Sequence, residues 1–103
     1  MRLNDYQAEA MGFRLHSATP EYALFNLSGE VGELHSLIAK AIRDGAKYEF
    51  EMNVKKELGD ILWCLSAVAA DYGWTLEDVA ASNINKLSQR KDNRTIQGSG
   101  DNR

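Results

Sequence analysis

"PEYALFNLSGEVGELHSLIAKAIRDG", residues 20–45, decides the fold. Its apolar residues recur at Leu24, Leu27, Val31, Leu34, Ile38 and Ile42, in steps of three or four that place them along one side of an α-helix. Thr19, just before it, can cap the free N–H groups of a first turn, and Pro20 suits the first helical position, where a missing N–H does no harm. Gly45 is the natural left-handed residue at the far end. The spacing predicts a long helix over about residues 20–43. Two glycines interrupt it, Gly29 and Gly32, each unfavourable by about 1 kcal/mol relative to alanine inside a helix. Each stands directly before a glutamate, Glu30 and Glu33.

The arrangement recurs downstream. A third helix is predicted over about residues 50–72, with the stripe Val54, Leu58, Ile61, Leu62, Leu65, Val68, Ala69 and Tyr72, and Gly73 stops it. Within it "KKELGDILW", residues 55–63, sets Glu57 three before Asp60, with Gly59 directly before the aspartate. A first helix is expected over about residues 5–15 with Asn4 as its cap. "TLED", residues 75–78, opens a fourth that runs to about Gln89. The last stretch, "RKDNRTIQGSGDNR", is polar and glycine-containing. The expectation is an all-α chain: a helical domain over residues 1–91 and a polar C-terminal tail or lid over 92–103.

Length and charge narrow the function. One hundred and three residues make one domain. A net charge of −3 argues against general nucleic-acid binding, which needs a basic surface to release counterions. One cysteine, Cys64, cannot form an internal disulfide, which suits a reducing compartment. No apolar run has the length of a membrane span, and the first residues show no signal-peptide core. A cytoplasmic location with no membrane partner is expected.

Glu30 and Glu33 lie about 60° apart around their helix, as do Glu57 and Asp60 around theirs, and each pair flanks an apolar stripe. If the two stripes pack antiparallel, the four acids can meet across one seam. Four close carboxylates repel, and a hard cation among them, Mg²⁺ or Mn²⁺, would relieve that repulsion. Glycine before three of the four acids would let the backbones approach closely, so Gly59→Ala should favour the helix yet weaken metal binding. Solvated surface carboxylates are the plainer alternative.

The chain resembles the MazG-type nucleoside triphosphate pyrophosphohydrolases, part of an all-α superfamily with the all-α dUTPases and the dCTP pyrophosphatases. The resemblance rests on Glu30 and Glu33 in "GEVGEL", Glu57 and Asp60 in "KELGDILW", "NINKLSQR" at residues 83–90 and the opening "DYQ". It implies a helical bundle whose core is completed by assembly into a homodimer or homotetramer. It implies Mg²⁺-dependent cleavage of a nucleoside triphosphate between the α and β phosphates, giving monophosphate and pyrophosphate, with Glu30, Glu33, Glu57 and Asp60 as the catalytic and metal-binding set. Asn83, Lys86 and Arg90, on one face of the fourth helix, would meet the substrate, and Arg94 would join them if the tail folds over the phosphates. Two alternatives stay open: a narrow dUTP or dCTP pyrophosphatase, and a non-catalytic helical regulator. Among other residues, Trp63, off its helix's core stripe, could stack on a base or bury at a subunit contact, the latter favoured, and Asp71 could pair with a basic residue of the fourth helix. Cys64 is expected in packing, and His16 and His35 at the surface or in packing. Tyr6 and Gln7, on the first helix, could reach the base.

Overall fold

The computed structural model describes residues 1–103. It contains four helices and no strand: α1 (Leu3–Gly12), α2 (Pro20–Asp44), α3 (Phe50–Asp71) and α4 (Leu76–Asp92). The fold is all-α. The long helices end where their punctuation predicts. Thr19 Oγ1 accepts the Tyr22 N–H at 3.3 Å. Gly45 takes a φ of +86°, and its N–H closes the helix on the Ala41 carbonyl at 2.8 Å. Thr75 Oγ1 accepts the Asp78 N–H at 3.1 Å and starts α4.

The short helices depart from expectation. Helix α1 begins at Leu3, and Asp5 accepts the Arg2 backbone N–H at 3.1 Å, so Asn4 lies inside the helix and does not cap it. Asn4 instead serves α4: its Oδ1 accepts the Glu77 N–H and its Nδ2 donates to the Glu77 carboxylate, both at 3.1 Å. Helix α4 runs three residues past Gln89, to Asp92, with Arg90 and Lys91 in its last turn where cations suit the negative helix end.

Helix α2 packs closely only on α3, while α1 and α4 pack on α3 and on each other. Gln7 joins these elements. It is buried, its Nε2 donates to the carbonyls of Ser66 at 3.2 Å and Trp74 at 3.1 Å, and its Oε1 accepts the Leu76 N–H at 3.0 Å. The amide is therefore fully engaged in the fold and has no group left for a nucleobase. One further expectation is corrected here: Asp71 pairs with Arg14 of the α1–α2 connection, at 2.8 and 3.0 Å, and not with α4. Trp63, half-buried, donates its Nε1–H to the Ala10 carbonyl at 3.0 Å and so fastens α3 to α1.

The buried apolar centre is made of small side chains: Ala10, Ala23, Cys64, Ala67 and Ala69, with Leu76. Small residues let α1 and the start of α2 approach α3 closely. The long stripes are covered only in part. Leu27, Val31 and Leu34 are half-buried, whereas Ile42 is 82% exposed and Phe25 76%. An apolar helix face is wider than one neighbouring helix can cover, and α2 has one neighbour. No helix is long and apolar enough to cross a membrane.

Candidate metal centre

The five-residue connection between α2 and α3 makes them an antiparallel hairpin. The register sets Asn26 against Cys64 and, one turn along, brings Glu30 together with Asp60. Glu57 stands one turn before Asp60 on the same face. Carboxylate oxygens of Glu30, Glu57 and Asp60 lie within 4.8 Å of one another. Glu30 and Glu57 are half-buried and Asp60 is exposed, so the trio has a floor inside the hairpin and a side open to solvent. Glu33 is exposed and stands outside the trio, because its position is rotated about 60° further round α2.

The electrostatics match this geometry. Burial pushes the Glu30 carboxyl above its ordinary pKa, and the negative charges of Asp60, Glu57 and Glu33 push it the same way. A side-chain hydrogen bond from Asn26 opposes them. Burial likewise raises the Cys64 thiol, with smaller pushes from the charges of Glu30 and Asp60. A thiol held in its neutral form is a poor soft-metal ligand. The donor set is thus all carboxylate oxygen, mutually repulsive and open on one side, which fits a hard divalent cation. Burial raises the Tyr6 hydroxyl of α1, and the charges of Asp60 and Cys64 push it the same way.

The glycines do not act as expected. A Cβ built on Gly32 or Gly59 would meet nothing within 4 Å, and one on Gly29 would meet only Asn26 Oδ1 at 3.8 Å, an ordinary contact. Within one chain, then, these glycines do not mediate close helix approach, since they lie on the open side of the hairpin. Asn26 is a neighbour of Glu30 that the acid-pair pattern does not pick out. Its position one turn before Glu30 on α2 was the available signal.

On α4, Asn83 is exposed, Lys86 half-buried and Arg90 buried. The last residues fold back onto this helix. Lys86 Nζ and Arg90 Nη2 each lie 3.1 Å from Asp101 Oδ1, and Arg90 also donates to the carbonyls of Gly100 at 3.3 Å and Asp101 at 3.2 Å. Arg103 laces the loop together through the carbonyls of Thr95 at 2.8 Å, Ile96 at 2.8 Å and Gly100 at 2.6 Å. Arg94, with a φ of +56°, is exposed at the turn that follows α4. Helix α4 does not pack on α2, so these cations and Glu30 stand on elements that do not touch.

Comparison with known proteins agrees with the all-α reading. The chain is 39% identical over 85 residues to Gene 37 protein of Mycobacterium phage L5, an alignment covering 80% of this chain and 75% of that protein. No solved structure matches. Residues 18–95 match the MazG nucleotide pyrophosphohydrolase domain, a span that begins after α1, ends before Ile96 and holds the whole carboxylate trio. The protein is therefore a member of the MazG nucleotide pyrophosphohydrolase domain family.

Proposed function

We propose that the protein hydrolyses nucleoside triphosphates between the α and β phosphates in an Mg²⁺-dependent reaction, releasing monophosphate and pyrophosphate. The observation that carries this reading is the meeting of Glu30, Glu57 and Asp60, from two helices, inside the matched domain. Glu30, Glu57 and Asp60 would hold the cation, with Glu33 completing the set once a ligand draws it in. The bound ion would screen the phosphate oxygens and make water a better nucleophile. The chain's own task is to hold three carboxylates at a spacing they would not adopt alone. One of the four acids also takes the proton of the attacking water.

Asn83, Lys86, Arg90 and Arg94 are the proposed phosphate and substrate contacts. Asp101 now occupies Lys86 and Arg90, so a triphosphate must displace that carboxylate to use them. The uncovered apolar faces of α2 and α3, with Phe25 and Ile42 exposed, support assembly with further copies of the chain as a homodimer or homotetramer. Such an assembly would also supply the neighbour that α2 lacks and bring a second α4 toward the trio. The lone buried thiol suits the cytoplasm.

The test is a panel of canonical and modified nucleoside triphosphates with Mg²⁺, scored for pyrophosphate and monophosphate. Release of both from several bases supports the reading, and release from dUTP or dCTP alone would assign the narrow activity. No pyrophosphate from any member would leave a non-catalytic helical protein. Glu57→Gln should abolish turnover with the helices intact.

A further inference from the structure

Arg90 is a charged side chain held almost out of water, 7% exposed near the end of α4. Each hydrogen bond of this side chain leaves from Nη2, and each acceptor lies in the loop that follows the helix. The acceptors are the Gly100 carbonyl at 3.3 Å, the Asp101 carbonyl at 3.2 Å and Asp101 Oδ1 at 3.1 Å. The Arg90 Nε is buried with no partner. Nε and Nη2 share one edge of the guanidinium fork, an edge suited to two oxygens of a carboxylate or phosphate side by side. Asp101 fills that edge only by half. It brings one oxygen, Oδ1, and shares it with Lys86 Nζ at 3.1 Å. The carboxylate itself is 80% exposed, and ion pairs open to solvent are weak, so the contact is easily displaced. Beside it lies a cleft of about 310 Å³ lined by these groups, Gln89, Asn93 and Arg103, with no apolar side chain.

The loop keeps its own shape without the Asp101 side chain. The Thr95 N–H closes on the Arg90 carbonyl at 2.7 Å, and Arg103 donates to the carbonyls of Thr95, Ile96 and Gly100. Gly98 lets the Arg103 side chain cross the loop. It has a φ of +125°, and a Cβ there would stand 3.2 Å from Arg103 Cδ. We propose that residues 93–103 are an intramolecular competitor for the phosphate contacts of α4: the loop seats the Asp101 carboxylate on Lys86 and Arg90, and a polyphosphate opens it by supplying the second oxygen that the Arg90 fork lacks. The inference rests on the reading of Lys86 and Arg90 as phosphate contacts given above, and it adds a regulation of that site. A phosphate group brings three acceptor oxygens and more charge than one carboxylate, so it can satisfy Nε and Nη2 together.

The test measures binding of inorganic tripolyphosphate to the whole protein by calorimetry, in EDTA and at fixed ionic strength, so that neither metal nor hydrolysis enters. Asp101→Asn should bind it about fivefold more tightly, the upper end of what an exposed ion pair is worth. Gly98→Ala keeps every charge but strains the loop, and it should tighten binding in the same direction. Asp92→Asn removes an equal charge from the exposed end of α4 and should bind as the parent does. Lys86→Gln added to Asp101→Asn should cancel the gain. Equal affinity in the parent and Asp101→Asn overturns the proposal. So does an equal gain in Asp92→Asn, which would reduce the effect to net charge, and so does an absence of tripolyphosphate binding in the parent and Asp101→Asn alike. The hydrolysis reading is scored apart, by Mg²⁺-dependent release of pyrophosphate from nucleoside triphosphates. Release by the parent, with equal tripolyphosphate affinity in the parent and Asp101→Asn, overturns the role of the loop and leaves the hydrolysis standing.

Discussion

Glu57→Gln should stabilise the metal-free protein while abolishing its response to divalent ions. The three carboxylates sit within 4.8 Å of one another. At that distance two unit charges repel by about 3.5 kcal/mol at an effective dielectric of about 20, and by about 0.9 kcal/mol in bulk water. Asp60 is exposed and the other two are only half-buried, so the water limit is the better guide, at about 1 kcal/mol per pair. Glutamine at 57 removes two of the three pairs and leaves helix propensity nearly unchanged. Screening by salt trims the gain to about 1–2 kcal/mol. For a chain of this length that is a rise in Tm on the order of 5–10 °C. The assay is a pair of thermal melts at slightly alkaline pH, one in EDTA and one in millimolar Mg²⁺ or Mn²⁺. The parent should melt lower in EDTA than the variant and gain on adding metal, and the variant should gain nothing. A variant that melts below the parent in EDTA, or that responds to metal as the parent does, would refute the reasoning.

Three further outcomes follow from the same geometry. Gly32→Ala and Gly59→Ala meet open space, so each should raise stability by about 1 kcal/mol in urea titrations and leave Mn²⁺ affinity unchanged. Asp101→Asn should free Lys86 and Arg90 and lower KM for a nucleoside triphosphate with kcat unaltered; an unchanged KM would mean that the tail carboxylate does not compete with phosphate. The pH dependence has a definite sign. Glu30 is held above its ordinary value, so the fold favours its neutral form. Its contribution to stability is whole below the unfolded-state pKa and is lost as pH rises through the folded-state one. In melts of the metal-free protein from about pH 4 to about pH 7, the parent should therefore lose more stability than Glu30→Gln.

Much of this architecture was readable from local pattern. The three-and-four spacing of Leu27, Val31 and Leu34, with Thr19 and Gly45 at the ends, defines α2 to within a residue. The antiparallel hairpin follows from the short connection, and with it the encounter of Glu30 with Glu57 and Asp60. What pattern could not supply was long-range pairing of single polar groups. Gln7, Arg14 and Asn4 bond to partners more than fifty residues away, and nothing in their immediate sequence distinguishes them from solvated side chains. The partner of Trp63, the Ala10 carbonyl, is a backbone group and so leaves no mark in the sequence. The tail reads as polar and unpacked, yet Asp101 seats it on two cations, and Arg90 and Arg103 hold its backbone carbonyls. The glycines misled for a different reason: helix weakening is visible in sequence, whereas the space beside a missing Cβ is visible only in three dimensions.

The Gln7 amide has a dynamic consequence. The last part of α3, the turn after it and the first residue of α4 all close on one side chain of α1. Because α2 touches none of these except α3, the molecule divides into a hairpin and an outer clasp that share α3. The clasp cannot fray piecemeal: releasing that amide exposes a Leu76 N–H and two carbonyls at once. Amide protons of α1 and of the first turns of α4 should then exchange with solvent through one common opening, at a free energy separate from that of the hairpin. Thermal breathing of the clasp would thereby swing the cationic helix as a unit while the acidic trio stays assembled.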